Sequence, residues 1–358
     1  VLPNGDRVAA ATVEAVAAGL GMVSAPSRSE YDLTVIGAGP AGLAAAVYAA
    51  SEGLRSLAIE AVAPGGQAGT TSMIENYLGF PQGISGSELA TRATAQARRF
   101  GAEILLARRL VNVSTDGPGY VAHLSDGTSV PSRAMLLASG VEWRRLEIPG
   151  LDELLGSGVF YGAGPSEAVT CSGGDVAIVG GGNSAGQAVI RFSRYASRVI
   201  LLVRGSSIEA SMSEYLIDQI RQLDNAEVRT ETQVVDLESD DRLRAVIVSS
   251  GSVRSRLPVE ALFVCIGGVP RTEGAARAGL AVDSAGYVRT GAELGSSAGE
   301  LHGWPLSRPP LPLETNMPGL FAAGDVRSGS IKRCAAAIGE GSMTIALVHQ
   351  RLAEVGGE

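Results

Sequence analysis

At 358 residues the chain is long enough for two or three domains with hydrophobic cores of their own. A composition of 45% hydrophobic and 18% charged residues is that of a globular protein, and the net charge of −8 offers no basic footprint for nucleic acid. No apolar run is long enough to span a bilayer, and the Ala-rich stretch from Val8 to Met22 contains Thr12 and Glu14 and lacks a basic leader, so a cytoplasmic setting is expected.

Residues 1–29 read as a short helix followed by a Pro/Ser linker. From Tyr31 a short apolar strand, Asp32-Leu33-Thr34-Val35-Ile36, runs into Gly37-Ala38-Gly39-Pro40-Ala41-Gly42 and then an Ala-rich helix. This strand–turn–helix context is what a dinucleotide-binding GxGxxG requires. Glycine lets the backbone turn tightly and lets a pyrophosphate approach the unpaired N–H groups of a helix N-terminus. The next strand, Arg55 to Glu60, ends on an acid 18 residues beyond Gly42, where a carboxylate accepts both ribose hydroxyls of an adenosine. A helix from Gly86 to Phe100 follows. Then comes a hairpin with Tyr120 to Leu124 as one strand and Asp126-Gly127 as its turn, leading to a buried strand from Ala134 to Gly140.

The same order then repeats. Asp175-Val176-Ala177-Ile178-Val179 leads into Gly180-Gly181-Gly182-Asn183-Ser184-Ala185, a helix, and the strand Arg198 to Val203. A helix from Ser213 to Leu223, a hairpin from Leu243 to Arg256 and a strand from Ala261 to Gly267 complete the repeat. This is a duplicated domain rather than a solenoid. Two glycine cradles imply two dinucleotides, and the usual reason to hold two is to pass electrons between them. The chain closes with Gly319 to Asp325 and a helix from Cys334 to Ala353. Cys171, Cys265 and Cys334 form neither a disulfide framework nor a CxxC pair, and their spacing excludes zinc; no metal is expected. Cys265 reads as core and Cys171 as an inert surface thiol. His123, His302 and His349 form no constellation and read as structural.

From about Tyr31 to Leu352 the chain resembles the flavin-dependent pyridine-nucleotide disulfide oxidoreductases, in particular the low-molecular-weight thioredoxin reductase branch. The residues that carry the resemblance are Gly37 to Gly42, Gly65-Gly66-Gln67 with Glu75-Asn76-Tyr77, Ala138-Ser139-Gly140, Gly180 to Ala185, Phe263 to Thr272, and Pro318 to Asp325. It implies an α/β fold of two Rossmann-like domains, each a parallel sheet with an antiparallel hairpin layer. The FAD-binding domain spans 30–146 and 269–358, the NAD(P)-binding domain 147–268 is inserted into it, and residues 1–29 form a tail. The resemblance also implies a homodimer.

Carried over residue by residue, the resemblance puts the FAD pyrophosphate on Gly37, Gly39 and Gly42, with Pro40 and Ala41 opening the helix and Glu60 on the ribose. Gly66, Gln67 and Asn76 would lie beside the flavin and ribityl chain, with Ala138 and Gly140 at the following turn. Gly324 and Asp325 would meet the ribityl or pyrophosphate. Arg333, Cys334 and Ala335 would lie along the pyrimidine edge of the ring, where Lys332 and Arg333 would stabilise its reduced, anionic form. Gly180, Gly182, Asn183 and Ser184 would hold the nicotinamide coenzyme.

Two departures bear on function. Reductases of this branch carry a CxxC just before the second glycine turn, whereas Val159 to Ala168 here contains no cysteine. A single thiol cannot form the intramolecular disulfide of that relay. A CxxC-less group of these flavoproteins is similar around Tyr161, Glu167-Ala168, Ser330 to Arg333 and Gly339 to Ser342, and the N-terminal tail resembles the end of a domain fused in that group. NADPH-dependent members place an arginine cluster after the second strand of the inserted domain. Here Arg204 remains, followed by Gly205-Ser206-Ser207 and Glu209; the reading is NADPH, with NADH as the alternative. The catalytic candidates are Glu167 as a proton donor, Lys332 as a charge beside the flavin, and Cys334 as a thiol against it.

The expected function is an FAD-dependent oxidoreductase in which NAD(P)H reduces FAD and electrons pass to an external acceptor of unknown identity. The alternatives are an FAD oxidase or dehydrogenase acting on a small metabolite, and a non-catalytic flavin-binding module. The Gly/Ser/Pro-rich segment from Leu294 to Leu313, with Trp304, reads as either a surface insertion or a lid at the flavin edge.

Overall fold

The computed structural model describes residues 13–19, 24–70, 74, 77–162, 168, 171–295 and 304–356. They fall into two compact units, Val1–Glu142 with Pro270–Glu358, and Trp143–Val269. The positions Asn76 and Glu167, together with His302, lie outside the described residues.

The first unit is built on a seven-stranded sheet. Its order is Glu103–Leu105, Ser56–Ile59, Tyr31–Ile36, Ser129–Leu137, Gly119–Leu124 and Leu110–Asp116, with Leu320–Ala322 also pairing to Ser129–Leu137. Tyr31–Ile36 lies centrally, with Val35 in parallel register with Ala58 on one side and Leu136 on the other, and all six of its residues are buried. A strand buried on both faces explains its nearly continuous apolar sequence. The expected antiparallel hairpin is present and is joined to this sheet. Ser129–Leu137 is one nine-residue strand, and Ser132 pairs parallel with Tyr31 on one edge and antiparallel with Tyr120 on the other. Period-2 alternation at its start gives way to a wholly buried run at its end, which in sequence reads as two strands.

Helices cover one face. Pro40–Ser51 starts with Gly39 at its N-cap and Pro40 in its first turn, where proline's missing N–H costs nothing. Gly86–Phe100 is capped by Ser85, whose hydroxyl accepts from Glu88 N at 3.1 Å, and ends at Gly101 with φ 97°. The C-terminal helix, Cys334–Gly356, packs on Pro40–Ser51. Leu33, Val35, Ala45, Ala46, Leu136 and Ile345 are buried in this layer, each large apolar side chain contributing about 1.5–3 kcal/mol.

The second unit repeats the plan with a parallel sheet in the order Ala226–Arg229, Arg198–Leu202, Asp175–Val179, Ala261–Val264 and Val159–Tyr161. A separate three-stranded antiparallel sheet, Thr232–Ser239, Leu243–Ser250 and Val253–Pro258, adds one strand to the expected hairpin. Phe263 is fully buried between Phe160, ring centroids 5.1 Å apart, and Phe192, at 4.2 Å. Cys171, expected at the surface, is buried in this same core. Among the described residues no helix is long and apolar enough to cross a membrane, and no group of acids, histidines and cysteines could hold a metal.

Candidate active site

The glycine turn after Tyr31–Ile36 opens into a cavity of about 890 Å³ within the first unit. That volume lies at the upper end of the range for small-molecule sites. Gly37 has φ 103°, and a Cβ there would stand 2.9 Å from the Ala138 carbonyl carbon, so only glycine lets the turn pass this close to the neighbouring strand end. A Cβ on Gly42 would likewise meet the Gly37 carbonyl carbon at 2.9 Å. Gly42 thus closes the turn against itself, while Gly37, Gly39, Pro40 and Ala41 line the cavity. Gly39 has no side-chain capping bond, which leaves the first helical N–H groups without a side-chain partner.

Glu60 is buried at the end of Ser56–Ile59. It accepts from Ala38 N at 2.8 Å and from Val62 N at 3.0 Å, so it fixes the glycine turn while lining the cavity. Gly66 and Gln67 belong to the short helix Gly66–Gly69, and Gln67 donates to Val141 O at 3.4 Å. Ala138 and Gly140 line the wall beyond.

The opposite wall comes from the C-terminal part of the unit. Strand Leu320–Ala322 delivers Gly324 and Asp325 in a tight turn, and Lys332, Arg333 and Cys334 follow at the start of the last helix. Ala335, one residue further on, does not line the cavity. Burial pushes the Asp325 carboxyl up, with Lys332 opposing the shift and Glu340 adding to it. The Lys332 ammonium donates to Asp325 O at 2.6 Å and to Ser330 Oγ at 2.7 Å, and stands 4.3 Å from the Tyr287 ring centroid. Lys332 is therefore an ordered charge at the cavity edge, held by three groups. Burial pushes the Cys334 thiol up to about 11, which leaves it protonated at neutral pH.

Sequence reasoning missed the clasp behind this wall. Glu340 accepts from Gly324 N at 2.7 Å and from Arg327 Nη2 at 2.6 Å, tying the last helix to the Gly324 turn. The residue lies in Gly339 to Ser342, a stretch singled out for its similarity without a role attached. Of the two readings of the segment from Leu294 to Leu313, its described part from 304 onward favours the surface insertion. Trp304 donates to Arg308 O at 2.5 Å, Arg308 pairs with the fully buried Glu314 at 2.7 Å and with Glu354 at 2.7 Å, and none of residues 304–313 lines the cavity. Glu314, which also accepts from Leu311 N and Gly319 N, anchors the segment into the fold. His123 bonds Ser114 and Ser129, and His349 meets Glu52 at 3.1 Å, consistent with structural histidines.

In the second unit, Gly180 has φ 148°, and a Cβ there would stand 3.0 Å from the Cys265 carbonyl carbon. Gly182 caps the helix Asn183–Phe192 without a side-chain bond. Asn183 Oδ1 accepts from Ser213 N at 2.7 Å, and Ser211 Oγ donates to Gly181 O at 2.8 Å, so the segment after Arg198–Leu202 is tied back across the turn. Ser184 is exposed at the helix start, and Arg204 is exposed just past that strand. Both turns thus fit a dinucleotide: glycines forced by close backbone approach, each opening a helix with no side-chain cap.

The family described as pyridine nucleotide-disulphide oxidoreductase matches residues 31–341. The chain belongs to this family. Relatives of this oxidoreductase include the thioredoxin reductase of Listeria monocytogenes, 31% identical over 322 residues covering 87% of this chain and 91% of the relative. The thioredoxin reductase of Bacillus subtilis is 30% identical over 330 residues, with 91% and 96% covered. Among solved structures, thioredoxin reductase from Streptococcus pyogenes superimposes with a TM-score of 0.72 at 26% identity, covering 92% of this chain and all of that one. The oxidoreductase is thus thioredoxin-reductase-like, with two Rossmann-like domains, and is an NADPH-dependent flavoprotein that uses FAD.

Proposed function

We propose that this oxidoreductase delivers the electrons it takes from NADPH to an acceptor outside its own polypeptide, without an internal dithiol relay. FAD, when bound, supplies the two-electron step between coenzyme and acceptor. The observation that carries the reading is the cysteine inventory: the sequence holds three cysteines, Cys171, Cys265 and Cys334, and no two are close enough in sequence to form a CxxC. Burial pushes Cys265 up to about 12, so it too is a poor thiolate. The thioredoxin reductases it resembles are named for a disulfide substrate, and exchange with a disulfide needs an attacking thiolate.

In this reading Gly37, Gly39 and the start of helix Pro40–Ser51 hold the FAD pyrophosphate, and Glu60 takes the adenosine ribose. Asp325 orients the ribityl chain. Lys332 and Arg333 place positive charge at the ring edge, and Ala138 and Gly140 bound its far side. In the second unit Gly180, Gly182, Asn183 and Ser184 hold the coenzyme diphosphate, with Arg204 toward the 2′-phosphate. Glu167 is the candidate proton donor to the acceptor. The assembly is a homodimer, to be tested by light scattering.

Anaerobic mixing of the flavin-loaded protein with NADPH should bleach the flavin's visible absorption within seconds, and an acceptor screen should then find turnover that does not depend on cysteine. Thioredoxin turnover abolished by Cys171→Ser or Cys265→Ser would overturn the reading. Flavin that stays oxidised under NADPH would favour direct oxidation of a metabolite instead.

A further inference from the structure

We infer that Arg221, from a helix outside the second glycine turn, completes the coenzyme-selecting end of that unit by neutralising Glu209, so that Arg204 remains available to the 2′-phosphate of NADPH. The inference rests on the NADPH reading of this site and names a residue that determines its specificity.

In a Rossmann-like unit the residues just past the second strand meet the adenosine ribose, an acid favouring the free 2′-hydroxyl and an arginine the 2′-phosphate. Here the strand Arg198–Leu202 is followed by both, Arg204 and Glu209. Arg204 is exposed and makes no hydrogen bond or ion pair among the described residues. Glu209 is engaged on both oxygens: Oε1 accepts from Arg221 Nη2 at 3.0 Å, and Oε2 accepts from Ser207 Oγ at 2.5 Å. Ser207 Oγ in turn accepts from Glu209 N at 3.1 Å, which closes a tight local turn and aims the carboxylate at Arg221. Asp218 lies 3.7 Å from the other guanidinium nitrogen, a looser pair along the same helix.

The helix that carries Arg221, Glu214–Arg221, is anchored at its start to the glycine turn through Ser213 N and Asn183 Oδ1. One continuous segment therefore links the pyrophosphate cradle, the acid and the cation that covers it. Without Arg221, Glu209 would present an uncompensated negative charge to an incoming phosphate; like charges at such a site disfavour binding and unlike ones favour it.

The test is calorimetric titration of the full-length, flavin-loaded protein with 2′,5′-ADP and with 5′-AMP, so that the readout is binding and not turnover. Arg221→Gln should weaken 2′,5′-ADP about fivefold, the scale of an exposed charge pair, and leave 5′-AMP unchanged. Glu209→Gln combined with Arg221→Gln should restore most of the wild-type preference. An unchanged ratio of the two affinities in Arg221→Gln, or an equal weakening of both ligands, would overturn the inference while leaving the NADPH reading in place. Wild-type protein with no preference for 2′,5′-ADP would overturn both. Arg221 is exposed, so the variant should melt like the parent, and circular dichroism checks that it does.

Discussion

Gly341 and Ala41 meet backbone to backbone. A Cβ on Gly341 would stand 2.9 Å from the Ala41 carbonyl carbon and 3.1 Å from its Cα. The last helix and the helix Pro40–Ser51 pack together at that point, and Ala41 is also part of the cavity wall. Gly341→Ala should therefore destabilise by about 1–3 kcal/mol, since the obstacle is backbone that has nowhere to move. It should also loosen FAD. Denaturant midpoints and flavin retained through gel filtration measure the two effects, and a variant as stable and as yellow as the parent would contradict the packing described.

The Glu340 clasp predicts a loss concentrated at the cavity. Glu340→Gln removes the charge that Arg327 faces and weakens the bond to Gly324 N. A partly buried pair broken on one side costs about 2 kcal/mol. The expected outcome is weaker FAD binding and a lower melting temperature for the FAD-free protein as well. If only the loaded protein changes, Glu340 acts through the cofactor and not through the turn.

Asp32 carries a pH dependence whose sign is fixed. The Arg55 guanidinium, at 2.7 and 2.9 Å, holds its carboxyl below the usual carboxylate range against the opposing pull of burial. A depressed folded value means that the stabilisation is fully present above the unfolded carboxylate's pKa, near about 3.9. It is lost as the pH falls through the folded value. Arg55 is well exposed, so screening limits the contribution to about 1 kcal/mol. Asp32→Asn should lower stability at neutral pH and flatten the acid limb of a urea-midpoint profile below about pH 4.

Cys334 should behave as a protected thiol. With its pKa near 11, alkylation by iodoacetamide should be slow at neutral pH and accelerate as the solution is made alkaline. Cys334→Ala should still be reduced by NADPH. Rapid labelling at neutral pH would restore the thiol as a candidate for chemistry.

Lys332→Met tests the charge at the cavity edge. Removing a cation from beside a group that gains negative charge should make the flavin harder to reduce, by about 30 mV, which corresponds to roughly 1.4 kcal/mol for two electrons. Dye-coupled potentiometry reads this without any acceptor. An unchanged potential would make Lys332 a structural tie to Asp325 O.

The parts of this molecule that were legible in its sequence are those set by local rules. Gly37 and Gly180 announce themselves because each sits between a β-branched strand and an Ala-rich helix, and the helix Gly86–Phe100 has the bounds expected from its sequence. The illegible parts depend on partners far along the chain. Nothing near Glu340 says that it will reach Gly324 N, and nothing near Glu209 points to Arg221. Trp304 was ambiguous for the same reason, since its place is set by Arg308 bridging to a buried Glu314 and to Glu354 in the last helix. The continuous strand Ser129–Leu137 was hidden differently. Its two halves have different neighbours, so the apolar pattern changes midway although the backbone does not.

Lys332 is the only lysine among the 29 Lys and Arg residues of this sequence, and it lines the cavity proposed for FAD. An amine-selective fluorophore would therefore mark one side chain of this sequence, and mark it at the edge of that cavity. Such a label would turn site occupancy into an optical signal. By the same reasoning, lysine-directed coupling to a resin or sensor surface would blind the molecule rather than display it.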